Sequence, residues 1–409
     1  MDVRATLMYG IFNYDIADRR VGYKHANHIL DLEAVGLSGY FSDLGIDARV
    51  FARPVLNDFI ALGKPAWLAV GNRIRQLLAN DAAALTDIRE QVLIPESQAT
   101  LYLPVRIGNY TDFYAGIHHA ENVGRMFRPG GDALLPNYRH MPVAYHGRAS
   151  SIVVSGTFIR RPNGQTLGAD AQPMFGPSKT LDVELELGLI IGKENPLGEP
   201  VSVADAEDHV FGLTLFNDWS ARDIQRWEYQ PLGPFLGKNF GSSMSAWVVP
   251  LHDLEPFRVA GPVQQPAPLP YLQAAQAGHF DLELEIVLHT GSDRGDGPGD
   301  VIISRTNARE LYWSFAQMVA HHTVNGCNLQ IGDVLATGTI SGSTPGSYGS
   351  LLELSENGTR PLYLPNGDTR TFLNDGDAVT LRGWGVANGR RVDLGDVHGK
   401  IIPALQPIK

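Results

Sequence analysis

One stretch decides the fold: it reads LDVELEL at residues 181–187, NDWSARDIQ at 217–225 and GKNFGS at 237–242. The first motif alternates apolar and acidic residues, and this pattern predicts a β-strand with one face buried. Side chains two positions apart on a strand lie about 6.6 Å from each other on the same face. We therefore expect Asp182, Glu184 and Glu186 to point the same way.

Three carboxylates on one face need a counter-charge if they are buried. Neighbouring carboxylates at this spacing repel each other by roughly 2–3 kcal/mol at an effective dielectric of about 20. Water, a base or a hard divalent cation must offset that repulsion, and oxygen ligands of this kind suit Mg²⁺ and Ca²⁺. A solvated acidic face on an edge strand gives the same pattern. Taken alone, the strand motif favours this simpler interpretation.

The second motif adds polar residues that a solvated strand does not explain. Asp218, Arg222, Gln225 and Tyr229 are spaced four, three and four apart, so they share one face if the segment is helical. That face carries an acid, a cation, an amide and a phenol, and it lacks the apolar stripe of a core-facing helix. Two flanking tryptophans indicate that this helix is not simply exposed to water. Together, the motifs predict a polar site rather than a solvated surface.

Composition narrows the class of protein. The chain has 409 residues, enough for two or three domains, with 44% apolar and 19% charged residues. A formal net charge of −11 argues against nucleic acid or an anionic membrane as a partner. The abundance of glycine (44) and proline (26) favours a loop-rich, mainly β protein.

Targeting and redox signals favour a cytoplasmic location. No apolar stretch approaches the ~20 residues of a membrane span, and Met1–Ala5 lacks the basic start of a secretory signal. Cys327 is the only cysteine, which rules out an intrachain disulfide and fits a reducing compartment. We expect a protein of the cytoplasm.

The rest of the chain gives a coarse organisation. Short β-type runs in residues 1–55 predict a small barrel or meander, and residues 56–90 carry a helical pattern that Pro65 can start. His118 and His119 are expected on a helix capped by Thr111 or Asp112. Residues 281–286 repeat the acidic alternation, but no polar helix follows, so we expect their carboxylates to be solvated.

Other hydrolase and cofactor signatures are absent from the sequence. It contains no Gly-x-Ser-x-Gly elbow, phosphate loop or dinucleotide fingerprint. No cluster of cysteines and histidines suggests zinc. Serine-hydrolase and nucleotide-cofactor functions are therefore weakly supported.

Five longer motifs identify a family. They read YTDFY at residues 110–114, PVAYHGRASS at 142–151, NDWSARDIQ at 217–225, PLGPFLGK at 231–238 and GTISG at 338–342. With these motifs the chain resembles the fumarylacetoacetate hydrolase family over nearly its whole length. The resemblance implies a mainly β fold with α-helices (α+β). A small SH3-like N-terminal barrel (residues 1–104) would precede a larger β-sandwich or β-roll catalytic domain (105–409), and the chain would form a homodimer.

The same resemblance implies an activity and a set of site residues. The activity is metal-dependent hydrolysis of the carbon–carbon bond of fumarylacetoacetate to fumarate and acetoacetate, the last step of tyrosine and phenylalanine catabolism. The cofactor would be Mg²⁺ or Ca²⁺, and the partner a small diketo acid. The metal ligands would be Asp112, Glu184, Glu186 and Asp218, with Lys238 and Ser242 near a second cation position. The catalytic residues would be His119, Glu353, Arg222, Gln225 and Lys238. The substrate contacts would be Tyr114, Arg128, Tyr145, Gln225, Tyr229 and Thr339.

Two departures and two rival functions accompany the resemblance. Asn109 stands where the family has aspartate, and Ser242 where it has threonine; serine keeps the oxygen. One rival keeps the metal site but hydrolyses an acylpyruvate, or acts as a decarboxylase or hydratase. The other is a non-catalytic cation-binding scaffold. The long N-terminal part and a His119–Glu353 pair argue against the first rival. Arg222, Gln225, Lys238 and His119 would have no purpose in the second.

Overall fold

The computed structural model describes residues 8–15, 18–274, 278–290 and 300–406. Residues 1–5, on which the expectation of no secretory signal rests, lie outside the described residues. Two packed β-sheets form the core of the described chain, and eight α-helices accompany them among the described residues. The fold class is therefore mainly β with α, as the sequence predicts.

The N-terminal part is a β-meander covered by helices. Its strands and helices in chain order are β1 (Tyr9–Tyr14), β2 (Arg20–His25), β3 (His28–Asp31), α1 (Leu32–Leu37), α2 (Asn57–Ile60), α3 (Lys64–Ala82, interrupted at Ala79–Asp81), α4 (Arg89–Val92), β4 (Leu93–Pro95) and β5 (Ala99–Tyr102). Pro65 lies in the first turn of α3, where its missing N–H costs no hydrogen bond. Trp67, Val70 and Ile74 lie on the buried face of α3, as their helical spacing predicts.

The remaining elements form the C-terminal part. Its strands are β6 (Tyr110–Phe113), β7 (Ala144–His146), β8 (Ile152–Val154), β9 (Ile159–Arg160), β10 (Asn163–Leu167), β11 (Pro173–Pro177), β12 (Leu181–Asp182), β13 (Leu185–Ile191), β14 (Val210–Asn217), β15 (Ser220–Ala221), β16 (Ser242–Met244), β17 (Trp247–Pro250), β18 (Arg258–Val259), β19 (His279–Phe280), β20 (Glu283–His289), β21 (Asp300–Asn307), β22 (Val334–Ala336), β23 (Leu362–Tyr363), β24 (Thr369–Arg370), β25 (Ala378–Ala387) and β26 (Arg390–Ile402). Its helices are α5 (Ile117–Phe127), α6 (Arg222–Glu228), α7 (Phe315–Thr323) and α8 (Leu351–Leu354).

One continuous sheet joins the two parts. Its order is β4-β3-β2-β1-β17-β14-β13-β22-β6-β7, and β1 pairs antiparallel with β17 through Tyr9–Val248 and Gly10–Trp247. The N-terminal strands therefore form an open meander, and within the described residues they do not close into a barrel. The SH3-like arrangement and the boundary at residue 104 remain predictions.

The second sheet packs on the first and closes the core. Its order is β21-β20-β25-β26-β9, and β14 of the first sheet packs against β25 and β26. Leucine, isoleucine and valine side chains from both sheets fill the space between them. This two-layer arrangement is a β-sandwich.

The acidic strand is central, and both of its faces are covered. Every residue of β13 is buried, and the strand lies between β14 and β22. The prediction of one buried face is therefore wrong, and so is the alternative of a solvated edge strand. The strand also breaks between Asp182, which ends β12, and Leu185, which begins β13. The three acids therefore do not form one row: Asp182 binds Arg222 Nε, and Arg222 Nη2 in turn forms an ion pair with Glu184.

Both helices that were predicted to carry site residues begin later than expected. Asp218 follows directly after β14 and precedes α6, so it does not share a helical face with Arg222. α5 begins at Ile117 behind Gly116, and Thr111 and Asp112 lie in β6 rather than at its cap. In both cases strand pairing extends the β conformation further than the local helical pattern suggests.

The second acidic strand departs from its prediction at one residue. Glu285 on β20 is 4% exposed and lies between Arg305 (3.0 Å) and Arg382 (3.6 Å). It is therefore buried and paired rather than solvated. Glu283 is exposed, as expected.

In the part of the chain that the structure describes, we find no helix with the length and apolar character needed to span a membrane.

The junction of the two parts generates a stability prediction. The Trp67 ring of α3 packs edge-on against Phe211 of β14, with ring centroids 5.0 Å apart. Trp67→Ala should lower the free energy of unfolding by about 3–5 kcal/mol, because it leaves a cavity at this junction. Chemical denaturation monitored by circular dichroism measures the loss. The neighbouring Leu68→Ala, on the exposed side of α3, should change stability little. Equal losses for the two variants would contradict a packed junction.

Candidate active site

Four carboxylates from distant parts of the chain meet at the ends of three strands. Asp112 is on β6, Glu184 immediately precedes β13, Glu186 is on β13 and Asp218 immediately follows β14. Strand pairing accounts for the meeting, because Leu185 lies opposite Asn217 and because β22 joins β13 to β6. All four side chains are buried, and one oxygen from each lies within 4.8 Å of the others. We call these four residues the acid cluster.

The protein does not supply enough positive charge to balance the acid cluster. Asp112 Oδ1 and Glu186 Oε1 are buried and have no hydrogen-bond partner among the described residues. Burial, and then the charges of neighbouring carboxylates, raise the pKa of both groups well above the ordinary range. Unpartnered carboxylate oxygens converging on one point are the donor set that a hard divalent cation requires. The residues present therefore fit a divalent metal ion.

Lys238 supplies one fixed positive charge beside the acid cluster. Its Nζ donates to Glu184 Oε2, and it also donates to Asp218 Oδ2 at 2.9 Å. Burial opposes the charged form, but the Asp218 and Glu184 carboxylates outweigh it and raise the pKa of Lys238. Ser242 Oγ donates to Asp218 Oδ1 at 2.7 Å, and Tyr145 OH donates to Oδ2 at 2.6 Å. Lys238 and Ser242, the residues predicted to lie near a second cation position, therefore both bind Asp218.

Arg222 supplies the other fixed charge. Its Nε donates to Asp182 Oδ2 at 2.8 Å, and its Nη2 forms an ion pair with Glu184 Oε1 at 2.7 Å. A further nitrogen, Nη1, donates to Gln225 Oε1 at 3.2 Å. Burial raises the pKa of Glu184, but Arg222 and Lys238 outweigh burial and hold it below the usual range. These two cations therefore favour the ionised form of Glu184.

His119 and Glu353 form a buried pair directed at the acid cluster. His119 Nδ1 lies 2.6 Å from Glu353 Oε2, and its Nε2 lies 3.8 Å from Glu184 Oε1. Burial opposes ionisation of Glu353, but His119 and the other donors around it hold its pKa below the usual range. An ionised carboxylate can only accept, so Nδ1 carries the hydrogen of this bond, and Nε2 is the ring nitrogen that faces the acid cluster. The adjacent His118 is half-buried and points to Glu310 at 3.4 Å.

The residues predicted to contact the substrate differ in the partners that they have in the structure. The Tyr114 ring packs edge-on against His119, with ring centroids 5.3 Å apart. Thr339 Oγ1 is buried, and no residue in the described part of the chain hydrogen-bonds to it. Arg128 donates to the carbonyl oxygens of residues 132 and 133. It nevertheless lies close enough to offset part of the rise that burial produces in the pKa of Tyr114. The Tyr229 hydroxyl, at the end of α6, accepts from Gln230 at 3.2 Å rather than from a cluster residue.

This arrangement combines three chemical capabilities. A neutral imidazole nitrogen can take a proton from water. The acid cluster can hold a cation, and Arg222 and Lys238 can stabilise developing negative charge. Such a site suits metal-assisted hydrolysis of a small anionic molecule.

Sequence comparisons identify the family. Residues 109–399 match the family model described as Fumarylacetoacetate (FAA) hydrolase C-terminal, and residues 5–104 match Fumarylacetoacetase N-terminal. The chain belongs to the fumarylacetoacetate hydrolase family. The protein named Fumarylacetoacetase in Bos taurus is 48% identical over 405 residues, covering 98% of this chain and 96% of the relative. The Homo sapiens protein of that name is 47% identical over 407 residues, covering 98% and 96%.

Solved structures show the same fold. A fumarylacetoacetate hydrolase from the psychrophilic Exiguobacterium antarcticum aligns with a TM-score of 0.54 at 18% identity, covering 97% of this chain and 100% of that one. A maleylpyruvate hydrolase from Sphingobium sp. SYK-6 aligns with a TM-score of 0.50 at 16% identity, covering 97% and 100%. At these identities the likeness establishes the fold of the fumarylacetoacetate hydrolase family and no activity.

Several residues around the family motifs escaped the sequence analysis. Ser341 and Ser350 donate to Glu353 Oε2 at 2.9 and 2.8 Å, and Asn122 donates to Oε1 at 2.9 Å. The Ser350-x-x-Glu353 spacing is a helix-start signal that could have indicated the serine. Gly338 has φ +74° and donates its N–H to Glu186 Oε2 at 3.2 Å. A Cβ there would lie 2.2 Å from the backbone oxygen of residue 113, so only glycine fits.

The acid cluster predicts how the protein responds to divalent ions. Mg²⁺ or Ca²⁺ at about 100 times its Kd should raise the free energy of unfolding by roughly 2–3 kcal/mol. Glu186→Gln should keep its stability without ions, because a neutral amide relieves crowding, but should gain much less on ion addition. Thermal unfolding with and without ions measures both effects. Glu285→Gln is the matched control and should respond as the wild type does. An undiminished response in Glu186→Gln would contradict ion binding at the acid cluster.

Proposed function

We propose that this chain hydrolyses fumarylacetoacetate to fumarate and acetoacetate, the last step of tyrosine and phenylalanine catabolism. The observation that carries the proposal is the His119–Glu353 pair, whose free imidazole nitrogen lies 3.8 Å from the acid cluster. Relatives named Fumarylacetoacetase, 47–48% identical over nearly the whole chain, support the choice of substrate. The reaction requires a nucleophilic water and a way to stabilise the departing acetoacetate carbanion.

Asp112, Glu184, Glu186 and Asp218 would hold the divalent cation, Mg²⁺ or Ca²⁺, with Lys238 and Ser242 beside it. Their convergent buried oxygens support this assignment. When bound, the ion would polarise the substrate carbonyl and neutralise enolate charge. Lys238 would also neutralise part of the negative charge of the cluster, because its ammonium group donates to both Glu184 and Asp218.

His119 would act as the general base. Its Nε2 takes a proton from water as the water oxygen attacks the carbonyl carbon next to the fumaryl group. The carbon–carbon bond then breaks, its electron pair leaves with the acetoacetate fragment, and the proton on Nε2 can neutralise that carbanion. Glu353 fixes the ring and stabilises the imidazolium, because its ionised carboxylate accepts the Nδ1 hydrogen.

The remaining site residues would bind and orient the substrate. Arg222, Gln225 and Lys238 would place donors where oxyanion charge develops. Carboxylates of the substrate would contact Arg128, Tyr114, Tyr145, Tyr229 and Thr339. Arg128 would have to exchange its carbonyl acceptors for a substrate carboxylate, which is a charged and therefore stronger partner.

We further propose a cytoplasmic homodimer. Exposed apolar side chains support an interface: Leu232 is 95% exposed, Phe235 is 65% exposed and Phe175 is 60% exposed. A single cysteine, Cys327, which cannot form an intrachain disulfide, fits a reducing compartment.

The proposed base generates a direct test. His119→Ala or Glu353→Ala should lower kcat at least about 100-fold, because general-base catalysis contributes that much or more. Bound metal, measured by atomic emission, should persist in both variants. His118→Ala is the matched control, one position away on the same helix, and should retain activity. Turnover near the wild-type level in either base variant would contradict the assignment.

Substrate choice is tested with the purified protein and Mg²⁺ or Ca²⁺. Fumarylacetoacetate should lose its ultraviolet absorbance on hydrolysis, and an acylpyruvate should be turned over much more slowly. Exhaustive chelation should abolish the activity, and restoring the ion should recover it. Preference for the acylpyruvate would favour the rival hydrolase function. Absence of turnover of either compound would favour the scaffold.

A further inference from the structure

Asp182 is the acid of the alternating motif that does not join the acid cluster. Its Oδ1 accepts from the backbone N–H of Val183 (2.8 Å) and of Leu351 (2.7 Å). Its Oδ2 accepts from the backbone N–H of Leu352 (2.9 Å) and from Arg222 Nε (2.8 Å). An ionised carboxylate offers about four acceptor sites. Asp182 is 0% exposed and its acceptor sites are filled, so it is not placed to bind substrate or a cation.

Two of those four bonds hold the helix that carries Glu353. α8 has only four residues, too few to be stable as an isolated helix. Asp182 accepts the first two free N–H groups of α8, and Ser350 accepts the third, that of Glu353. The position of the Glu353 carboxylate therefore depends on Asp182, although the two side chains are not hydrogen-bonded to each other.

A third bond holds Arg222. The guanidinium group is fixed at Nε by Asp182, and its other nitrogens reach Glu184 and Gln225. Without Asp182, Nε would lose its acceptor, and the buried guanidinium could turn about its long side chain. The direction in which Arg222 presents its donors therefore also depends on Asp182.

We propose that Asp182 is a positioning residue for the hydrolysis. This single carboxylate fixes the position of both the His119–Glu353 pair and Arg222. This inference rests on the proposed function for its kinetic consequences, but its structural part does not. Asp182 links the general base on one side of the site to the oxyanion donor on the other. A displacement of either group misaligns the reacting atoms, even when the acid cluster is intact.

Asp182→Asn is the informative substitution because it keeps the size of the side chain. In either orientation of the amide, its NH₂ group faces two N–H donors. The substitution therefore removes two hydrogen bonds and places N–H groups against each other. We expect kcat to fall by about 10- to 100-fold, the usual effect of losing a residue that orients a catalytic group. KM should change by less than kcat, because the affected groups act mainly in the transition state.

Asp31 offers a matched control elsewhere in the chain. It too is a fully buried carboxylate that caps a short helix, α1, through Ala34 N (3.1 Å) and accepts from an arginine, Arg20 (3.3 Å). Asp31→Asn should lose comparable thermal stability and keep kcat. A similar kcat loss in both variants would mean that Asp182 acts only through general stability, and would overturn the proposal.

Double-mutant cycles measure the two links. Asp182→Asn is combined with Glu353→Gln in one cycle and with Arg222→Lys in the other. If Asp182 acts through these residues, each double variant should lose less activity than the product of the two single losses. Multiplicative losses in both cycles would show that Asp182 acts independently, and would overturn the proposal.

Proton NMR gives a readout that does not depend on the substrate. The short His119 Nδ1–H to Glu353 hydrogen bond should give a downfield resonance, assigned by its absence in His119→Ala. Asp31→Asn should leave this resonance in place, and Asp182→Asn should shift or broaden it. An unchanged resonance together with unchanged kcat in Asp182→Asn would overturn the proposal. A wild type that shows the resonance but no turnover of fumarylacetoacetate would instead overturn the proposed function.

Ser350→Ala keeps the proposal testable if Asp182→Asn does not fold. It removes the other cap of α8 and leaves the Asp182–Arg222 bond in place. Ser350 also donates directly to Glu353 Oε2, so Ser341→Ala, which removes the other serine donor to that oxygen but no cap of α8, is the control. A folded Ser350→Ala protein whose resonance and kcat are perturbed more than those of Ser341→Ala would support the dependence of Glu353 on the capping of α8. A folded variant with both properties unchanged would contradict it.

Discussion

Electrostatic crowding is the constraint on which the rest of the structure depends. Four buried carboxylates place oxygens within 4.8 Å of one another, in surroundings too poor in water to screen them. Lys238 and Arg222 neutralise part of that negative charge, and protons or a cation must neutralise the rest. Everything near the acid cluster follows from this requirement. The donors around it are buried, hydrogen-bonded and held by rigid strands, because a mobile counter-charge would leave an acid unpaired.

The β-sandwich satisfies this constraint by bringing distant segments together without flexible loops. Antiparallel pairing of β13 with β14 sets Glu186 against Phe216 and leaves Asp218 at the strand end, while β22 connects β13 to the strand of Asp112. The His119–Glu353 pair approaches from two helices, α5 and α8, that lie outside these strands. In this member of the fumarylacetoacetate hydrolase family, the acid cluster thus lies where strand ends converge. His119 lies on a separate helix, with its imidazole ring facing the cluster.

Sequence reasoning found the motifs and misjudged their surroundings. Local pattern was sufficient for the β class, for the helix that begins near Pro65, and for the grouping of Glu184 with Glu186 by strand parity. It could not show that the strand breaks after Asp182, because the break arises from bonds to residues 169 and 170 positions away in the chain. It also placed Asp218 on a helix and Glu285 in solvent. Those outcomes depend on strand pairing and on arginines from other strands, which carry no local signal.

The pairing of β1 with β17 has a consequence for how this architecture is built. An N-terminal part that only packed against the C-terminal part could be lost without exposing unpaired backbone N–H and C=O groups. Here, its removal would uncover the N–H and C=O groups of β17, at Trp247 and Val248, and turn an interior strand into a free edge. Free edges recruit strands from other molecules. The N-terminal meander therefore also shields the chain against self-association through its main chain.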